Sequence, residues 1–304
     1  MGGAGYESWS LSARDPAAGR ALWIRRTVHS PSTGTAVVAH WCTTFAPDPV
    51  VTKQLFALDG EPVGFRAGPD EFVAGAATGE EQRSWSLRVA ASEFPARPLR
   101  PPQLYRSPLP RTKVEITVPD GAVAGDVNLG DVRWLVRGWA ATVGHSWGSQ
   151  HADRWIWIHA ARLDGAIRWL DVVLGRLRLG GVLTPWLAIG TARIHGRLVP
   201  FGGPARRPWV AVLSPARARA RLPIPGGRLD LEVEAVHRPA SVVYRDPRGG
   251  VRHVAHSGLA NVRVCVGGRD EPLGMSSGIR CAALEIGSRD RLCELTSASL
   301  PLED

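Results

Sequence analysis

The sequence predicts an all-β protein made of two lipocalin-like antiparallel β-barrel domains. Three observations carry this expectation. Short runs rich in Val, Ile, Trp and Thr recur along the whole chain. Gly, Pro, Asp or Asn bounds most of them. The 34 glycines and 24 prolines among 304 residues would interrupt long helices. Many short strands separated by regular turn signals point to barrels or sandwiches, not to alternating strands and helices.

Taken in order, the expected strands are Trp9–Ala13, Leu22–Val28, Val37–Phe45, Val51–Leu58, Trp85–Ala90, Val114–Val118, Trp134–Trp139, Trp155–Ala160, Trp169–Arg178 and Trp186–Ile194. A second group follows at Trp209–Leu213, Ala218–Leu222, Leu229–Val236, Ser241–Tyr244, Val251–Ala255, Val262–Val266 and Cys281–Ile286. Alternation is clearest in Trp169–Arg178, where Trp169, Asp171 and Val173 share one face and Arg168, Arg176 and Arg178 the other. Pro95–Pro110, with six prolines, reads as an extended, polyproline-like crossover. The break at Gly202-Gly203-Pro204 suggests domains over 1–199 and 200–304.

Composition narrows the function. The formal charge is +9, with 35 Arg against 2 Lys, but the arginines are scattered. Their densest run, Arg217-Ala-Arg219-Ala-Arg221, puts three on one strand face and reads as a solvated exterior, so no nucleic-acid partner is expected. No apolar run reaches the length of a membrane span, and the first residues lack a secretory pattern, so a cytoplasmic location is expected. Cys42, Cys265, Cys281 and Cys293 are widely spaced, without a C-x-x-C pair, and read as buried thiols.

Gly144–Ala160 is the most informative stretch, with three Trp and three His in seventeen residues. Gly144-His145-Ser146-Trp147-Gly148 fits the G-x-S-x-G pattern of a nucleophile elbow, which would make Ser146 the nucleophile of a serine hydrolase. An elbow needs a helix directly after the serine, and the run Trp155–His159 leaves no room for one. The competing reading is two strands, with His145 and Trp147 on one face of the first and Trp155, Trp157 and His159 on one face of the second. On that reading Ser146 points away from His145.

Several segments resemble the two-domain lipocalin-like superfamily of carotenoid 1,2-hydratase, AttH-like proteins and the fungal decalin-forming Diels–Alderases. Tyr6-Glu7-Ser8-Trp9 with Ala21–Arg25 is similar to its opening hairpin, and Pro108–Lys113 to its proline-rich crossover. His145-Ser146-Trp147-Gly148 resembles its His-x-Trp-Gly signature. Thr184-Pro185-Trp186, Tyr244–Pro247 and Ala283–Gly287 resemble later landmarks. The chain departs from the hydratase where Thr142-Val143-Gly144 replace a His and an Asp, and where Trp169-Leu170-Asp171 stands for a Tyr-x-Asp pair.

The resemblance implies a lipophilic-substrate pocket. Asp171 and His145 are the catalytic candidates. If Asp171 faces a barrel lumen, burial there would favour its neutral form and fit it for general-acid work. His145 could relay a proton or orient a substrate oxygen. Trp147, Trp155, Trp157, His159, Trp169, Trp186 and Tyr244 are candidate substrate-binding residues, the tryptophans able to stabilise a cation and fold a long chain. The spacing of His145, His151 and His159 fits no recognised metal site, and no metal or cofactor is expected. The expected activity is that of a cyclase or hydratase-like enzyme of lyase or isomerase type. Its substrate would be a lipophilic polyene, terpenoid or polyketide-derived molecule, and the protein a monomer or homodimer. The alternative is a carrier of a hydrophobic small molecule.

Overall fold

A computed structural model describes residues 4–60, 66–67, 71–74, 83–203, 207–268 and 272–291. The structure is all β. Its one helical element among the described residues is a single 3-10 turn, Pro102–Tyr105. A first sheet holds β1 (Gly5–Asp15), β2 (Arg20–Ser30), β3 (Val37–Phe45), β4 (Pro49–Ala57), β5 (Arg66–Ala67), β6 (Glu71–Ala74), β7 (Arg83–Ala91), β8 (Thr112–Leu129) and β9 (Val132–Gly148). Its order is β4-β3-β2-β1-β9-β8-β7-β6-β5, all antiparallel.

The chain then supplies β10 (Arg154–Ala161), β11 (Asp164–Gly165), β12 (Ile167–Arg176), a small hairpin of β13 (Arg178–Leu179) and β14 (Val182–Leu183), β15 (Leu187–Ile194) and β16 (Arg197–Gly202). β17 (Trp209–Ser214), β18 (Arg217–Ile224), β19 (Gly227–Ala235), β20 (Ala240–Arg245), β21 (Val251–Gly268) and β22 (Pro272–Ser288) complete it. The second sheet runs β16-β15-β12-β10-β22-β21-β19-β18-β17, with β11 on β22 and β20 on β21.

Neither sheet closes into a barrel among the described residues. The second curls until β16 lies alongside β18 without pairing. Sheet membership changes at 149–153, between β9 and β10, whereas the division expected at residue 200 falls inside β16, which is hydrogen-bonded to β15.

Four expected strands are pieces of three longer ones. Trp134–Trp139 and the Gly144–Gly148 motif belong to one 17-residue strand, and Val114–Val118 continues to Leu129. Val251–Ala255 and Val262–Val266 likewise join in β21. The physical reason is bulging. Val123 pairs with Trp139 and Ala124 with Arg137, so Gly138, at φ +65°, is the extra residue that bends β9 without ending it.

Alternation sorts each strand between two environments. Leu11, Ala13, Leu22, Ile24 and Val143 form a core cluster on one face of the first sheet. Ile156, Ile158, Leu170, Val172 and Leu174 do the same in the second. Each large aliphatic side chain buried in this way contributes roughly 1.5–3 kcal/mol. The opposite faces meet each other, where Trp23, Trp41 and Phe45 of the first sheet pack with Trp155, Tyr244 and Leu259 of the second. Each sheet thus packs one face into a core of its own and the other against the partner sheet.

The Arg217–Arg221 run is a solvated ladder. Arg217 and Arg219 bond Glu232, and Arg221 bonds Asp230, across the β18–β19 pair. Cys42 is buried, whereas Cys265 and Cys281 are partly exposed thiols. Cys293 lies outside the described residues. No helix among the described residues is long and apolar enough to cross a membrane.

Candidate functional site

A cavity of about 420 Å³ lies between the two sheets. From the first sheet, β1 lends it Tyr6, Ser8 and Ser10, and β9 lends it Thr142, Gly144 and Ser146, every second residue in each case. From the second come Trp155, Trp157, Asp171, Val173 and Glu285. The proline-rich segment covers it with Leu99, Leu104 and Leu109. That segment is anchored as an ordered crossover: Ala96 bridges to Ile116, and the Tyr105 hydroxyl donates to the Val114 carbonyl at 2.8 Å. Sites at junctions between layers are a common solution for apolar ligands. The cavity expected inside a barrel is thus an interface cavity, because the other face of each sheet is taken up by a core cluster.

Asp171 lies in the wall of this cavity and is only 2% exposed. The β10–β12 register sets it directly opposite His159. Its Oδ2 accepts the Trp157 Nε1–H at 3.0 Å and lies 3.1 Å from His159 Nδ1. Its Oδ1 has no protein hydrogen-bond partner among the described residues. His159 is fully buried behind Asp171 and away from the cavity. Its pKa is lowered by burial, which outweighs the raising effect of Asp171, so the ring is neutral near neutral pH.

A second assembly of the same kind was not foreseen. Glu285 Oε1 accepts the Trp155 Nε1–H at 2.7 Å, while Oε2 accepts the Tyr244 hydroxyl and faces His256 Nδ1, each at 3.2 Å. Burial acts to raise the Glu285 carboxyl, but the bond to His256 and the charge of Arg25 carry it below its usual value. Arg25 donates from Nε to Ser8 at 2.6 Å, and its guanidinium lies 4.1 Å over the Tyr244 ring. Its chain signal was a lone acid inside the apolar run Ala282–Ile286. Tyr6 and His151 also face the cavity. Burial pushes the Tyr6 hydroxyl up to about 12. Burial, then the charges of Arg25 and Arg252, hold the His151 imidazole well below its ordinary value.

The structure sorts the remaining candidates. Trp155, Trp157 and Tyr244 line the cavity. His145 reaches its rim, but its ring stacks on Trp9 at 4.1 Å and on Trp147 at 4.6 Å, with Nε2 3.0 Å from Glu7 Oε1. That is the far face of β9 from Ser146, and no contact joins His145 to Asp171. Trp147 stacks against Tyr105 outside the cavity. Trp169 is 0% exposed in a small cluster with Ala96, Ile116 and Ala161. Trp186 packs on the core of the second sheet. Ser146 lines the cavity from the last residues of β9, and the next element is the strand β10, not a helix, so the elbow reading fails on backbone geometry. The described residues contain no cluster of three or more metal-ligating side chains.

No protein-family model matches the sequence. The curated relatives include the uncharacterized proteins Rv0493c and MT0513 of Mycobacterium tuberculosis strains H37Rv and CDC 1551. Each is 29% identical over 286 residues, covering 86% of this chain and 82% of the relative. Among solved structures, CghA bound to Sch210972 superposes with a TM-score of 0.61 at 12% identity, over 95% of this chain and 90% of the other. A putative AttH from Nitrosomonas europaea gives 0.57 at 14%, over 94% and 93%. Kievitone hydratase from Nectria haematococca gives 0.50 at 9%, over 95% and 90%. The chain shares its overall fold with these solved structures.

Proposed function

We propose that this protein is a proton-transfer enzyme of hydratase or cyclase type that works without a cofactor on a lipophilic polyene, terpenoid or polyketide-derived substrate. The observation that carries this reading is Asp171: a buried carboxyl in an apolar, tryptophan-walled cavity, held through one oxygen by Trp157 and His159, with the other free. In the reaction, Asp171 acts as the general acid and donates a proton through Oδ1. The π electrons of a bound alkene take that proton, forming a C–H bond and leaving a cation at the neighbouring carbon. The faces of Trp155 and Trp157 stabilise that cation. Water then adds and returns a proton to Asp171, or a second double bond closes a ring and an adjacent carbon returns it. Neutral His159 keeps its N–H on Oδ2 throughout and acts as a positioning residue. Kievitone hydratase, by its name, and the fold shared with it support this class of chemistry.

The test is incubation with acyclic isoprenoid alkenes and alcohols of increasing length in D2O, followed by mass spectrometry. Carbon-bound deuterium in the product is expected from the native protein, and a loss of about a hundredfold or more in Asp171→Asn. An Asp171→Asn variant as fast as the native protein would remove the acid from the mechanism. A lipophile that co-purifies from the host and survives unchanged would make the protein a carrier.

A further inference from the structure

The cavity has two unlike ends. Near Asp171 its wall is Val173, Leu187 and Ile189, with Leu177 and Leu179 beyond. Two strands away, a single cross-sheet row runs Ile189–Val173–Trp157–Glu285–His256 on neighbouring strands. At the strand spacing of a sheet, Glu285 stands roughly 10 Å from the strand that carries Asp171. Around Glu285 the wall turns polar, with Tyr244, Arg25, Ser8, Tyr6 and His151.

An ionised carboxylate offers about four acceptor positions. Trp155, Tyr244 and His256 occupy three of those on Glu285. The side chain keeps 13% of its surface exposed, and it lines the cavity. The position left over is an acceptor in a largely desolvated place, where an unmet polar group is costly and a donor is rewarded. A ligand carboxylate would meet the negative charge of Glu285 head on. A hydrocarbon would strip water from it and return nothing. A ketone has no proton to give. A neutral O–H satisfies it.

We infer that Glu285 is the binding site for a hydroxyl group, so that the ligand is a neutral lipophile with an alcoholic or phenolic end at Glu285 and an apolar body reaching towards Asp171. This deepens the proposed function by naming the substrate's oxygenated end, and it rests on that reading only in taking the cavity as the ligand site. The depressed pKa of Glu285 agrees with it, since the carboxylate form is the one that accepts. Tightness of fit also agrees. A Cβ at Gly287 would come within 2.1 Å of the Trp155 ring, so a bare glycine is what lets the indole lie flat enough to hand its N–H to Glu285.

The test uses three matched probes, 4-butylphenol, butylbenzene and 4-butylbenzoate, titrated against the native protein by calorimetry at pH 7.5. The phenol should bind at least about tenfold more tightly than the other two, the worth of one charge-assisted hydrogen bond. Glu285→Gln should lose that preference, and Asp171→Asn should keep it. Equal binding of the three, tighter binding of the benzoate or the hydrocarbon, or no binding by any of them would overturn the assignment on the native protein alone. Full preference in a folded Glu285→Gln would also overturn it. The two proposals fail separately: an inactive Asp171→Asn beside a native protein that does not favour the phenol leaves the acid and removes the hydroxyl site.

Discussion

His159 and Asp171 face each other across the β10–β12 pair, with Nδ1 and Oδ2 3.1 Å apart and neither side chain more than 2% exposed. The histidine associated with the aspartate is therefore the cross-strand neighbour and not His145. Trp157, two residues before His159 on the same strand face, completes the support from the side of the cavity. One strand thus supplies both contacts to Asp171 Oδ2, and their spacing follows from the two-residue repeat of the β-strand.

Removing either contact should alter proton transfer without emptying the cavity. Trp157→Phe keeps an aromatic face and deletes the N–H to Asp171. The expected result is a drop in kcat with KM little changed, and a shifted pH–rate profile. An unchanged profile would mean that the Trp157 bond does not support the acid.

His145 is expected to matter for stability and not for chemistry. Its ring is sandwiched in the Trp9–Trp147 face and tied to Glu7. His145→Ala should lower stability by about 1 kcal/mol, the worth of an aromatic contact of this kind, as measured by urea unfolding. Deuterium incorporation at native rates should persist, and Ser146 should stay unlabelled by a fluorophosphonate in both proteins. Loss of turnover in a folded His145→Ala would return it to the catalytic set.

Gly287→Ala probes the packing that positions Trp155. With the new Cβ only 2.1 Å from the ring, the indole must move. Overpacking of this kind costs roughly 1–3 kcal/mol. A lower melting temperature is expected together with altered Trp fluorescence. A variant as stable as the native protein would show that Trp155 has room to shift.

Stability should fall with acidification. For His151 and His159 the folded pKa is depressed, so below about 6.5 the unfolded chain binds more protons than the folded one. Stability then drops as the pH falls through that value. The depressed carboxyl of Glu285 adds a contribution that is complete above its ordinary value of 4.5 and is lost as the pH falls towards its folded value. Urea midpoints between about pH 7.5 and 4 should trace this decline, and His151→Phe should flatten its first part. The same slope in the variant would show that His151 is not a source of it.

The amino-acid sequence by itself determined that the chain is all β. It also determined where most strands lie, that Trp169, Asp171 and Val173 share a face, and that Trp155, Trp157 and His159 share another. These properties follow from local alternation and turn residues, which are written within a few positions of each other. The lengths of β8, β9 and β21 were hidden because glycine and proline at a bulge look the same as at a turn. Tertiary structure decided which faces became core and which became site. Alternation shows that two faces exist, but not which of them will meet another sheet. Ile156 and Ile158 went to the core of their own sheet, and Trp155 and Trp157 to the junction with the other. Glu285 and His256 became partners only through the pairing of β21 with β22, and Asp171 met His159 only through that of β12 with β10. The reason is physical: strand register is a long-range property, set by hydrogen bonding and packing between segments that nothing in the local sequence brings together.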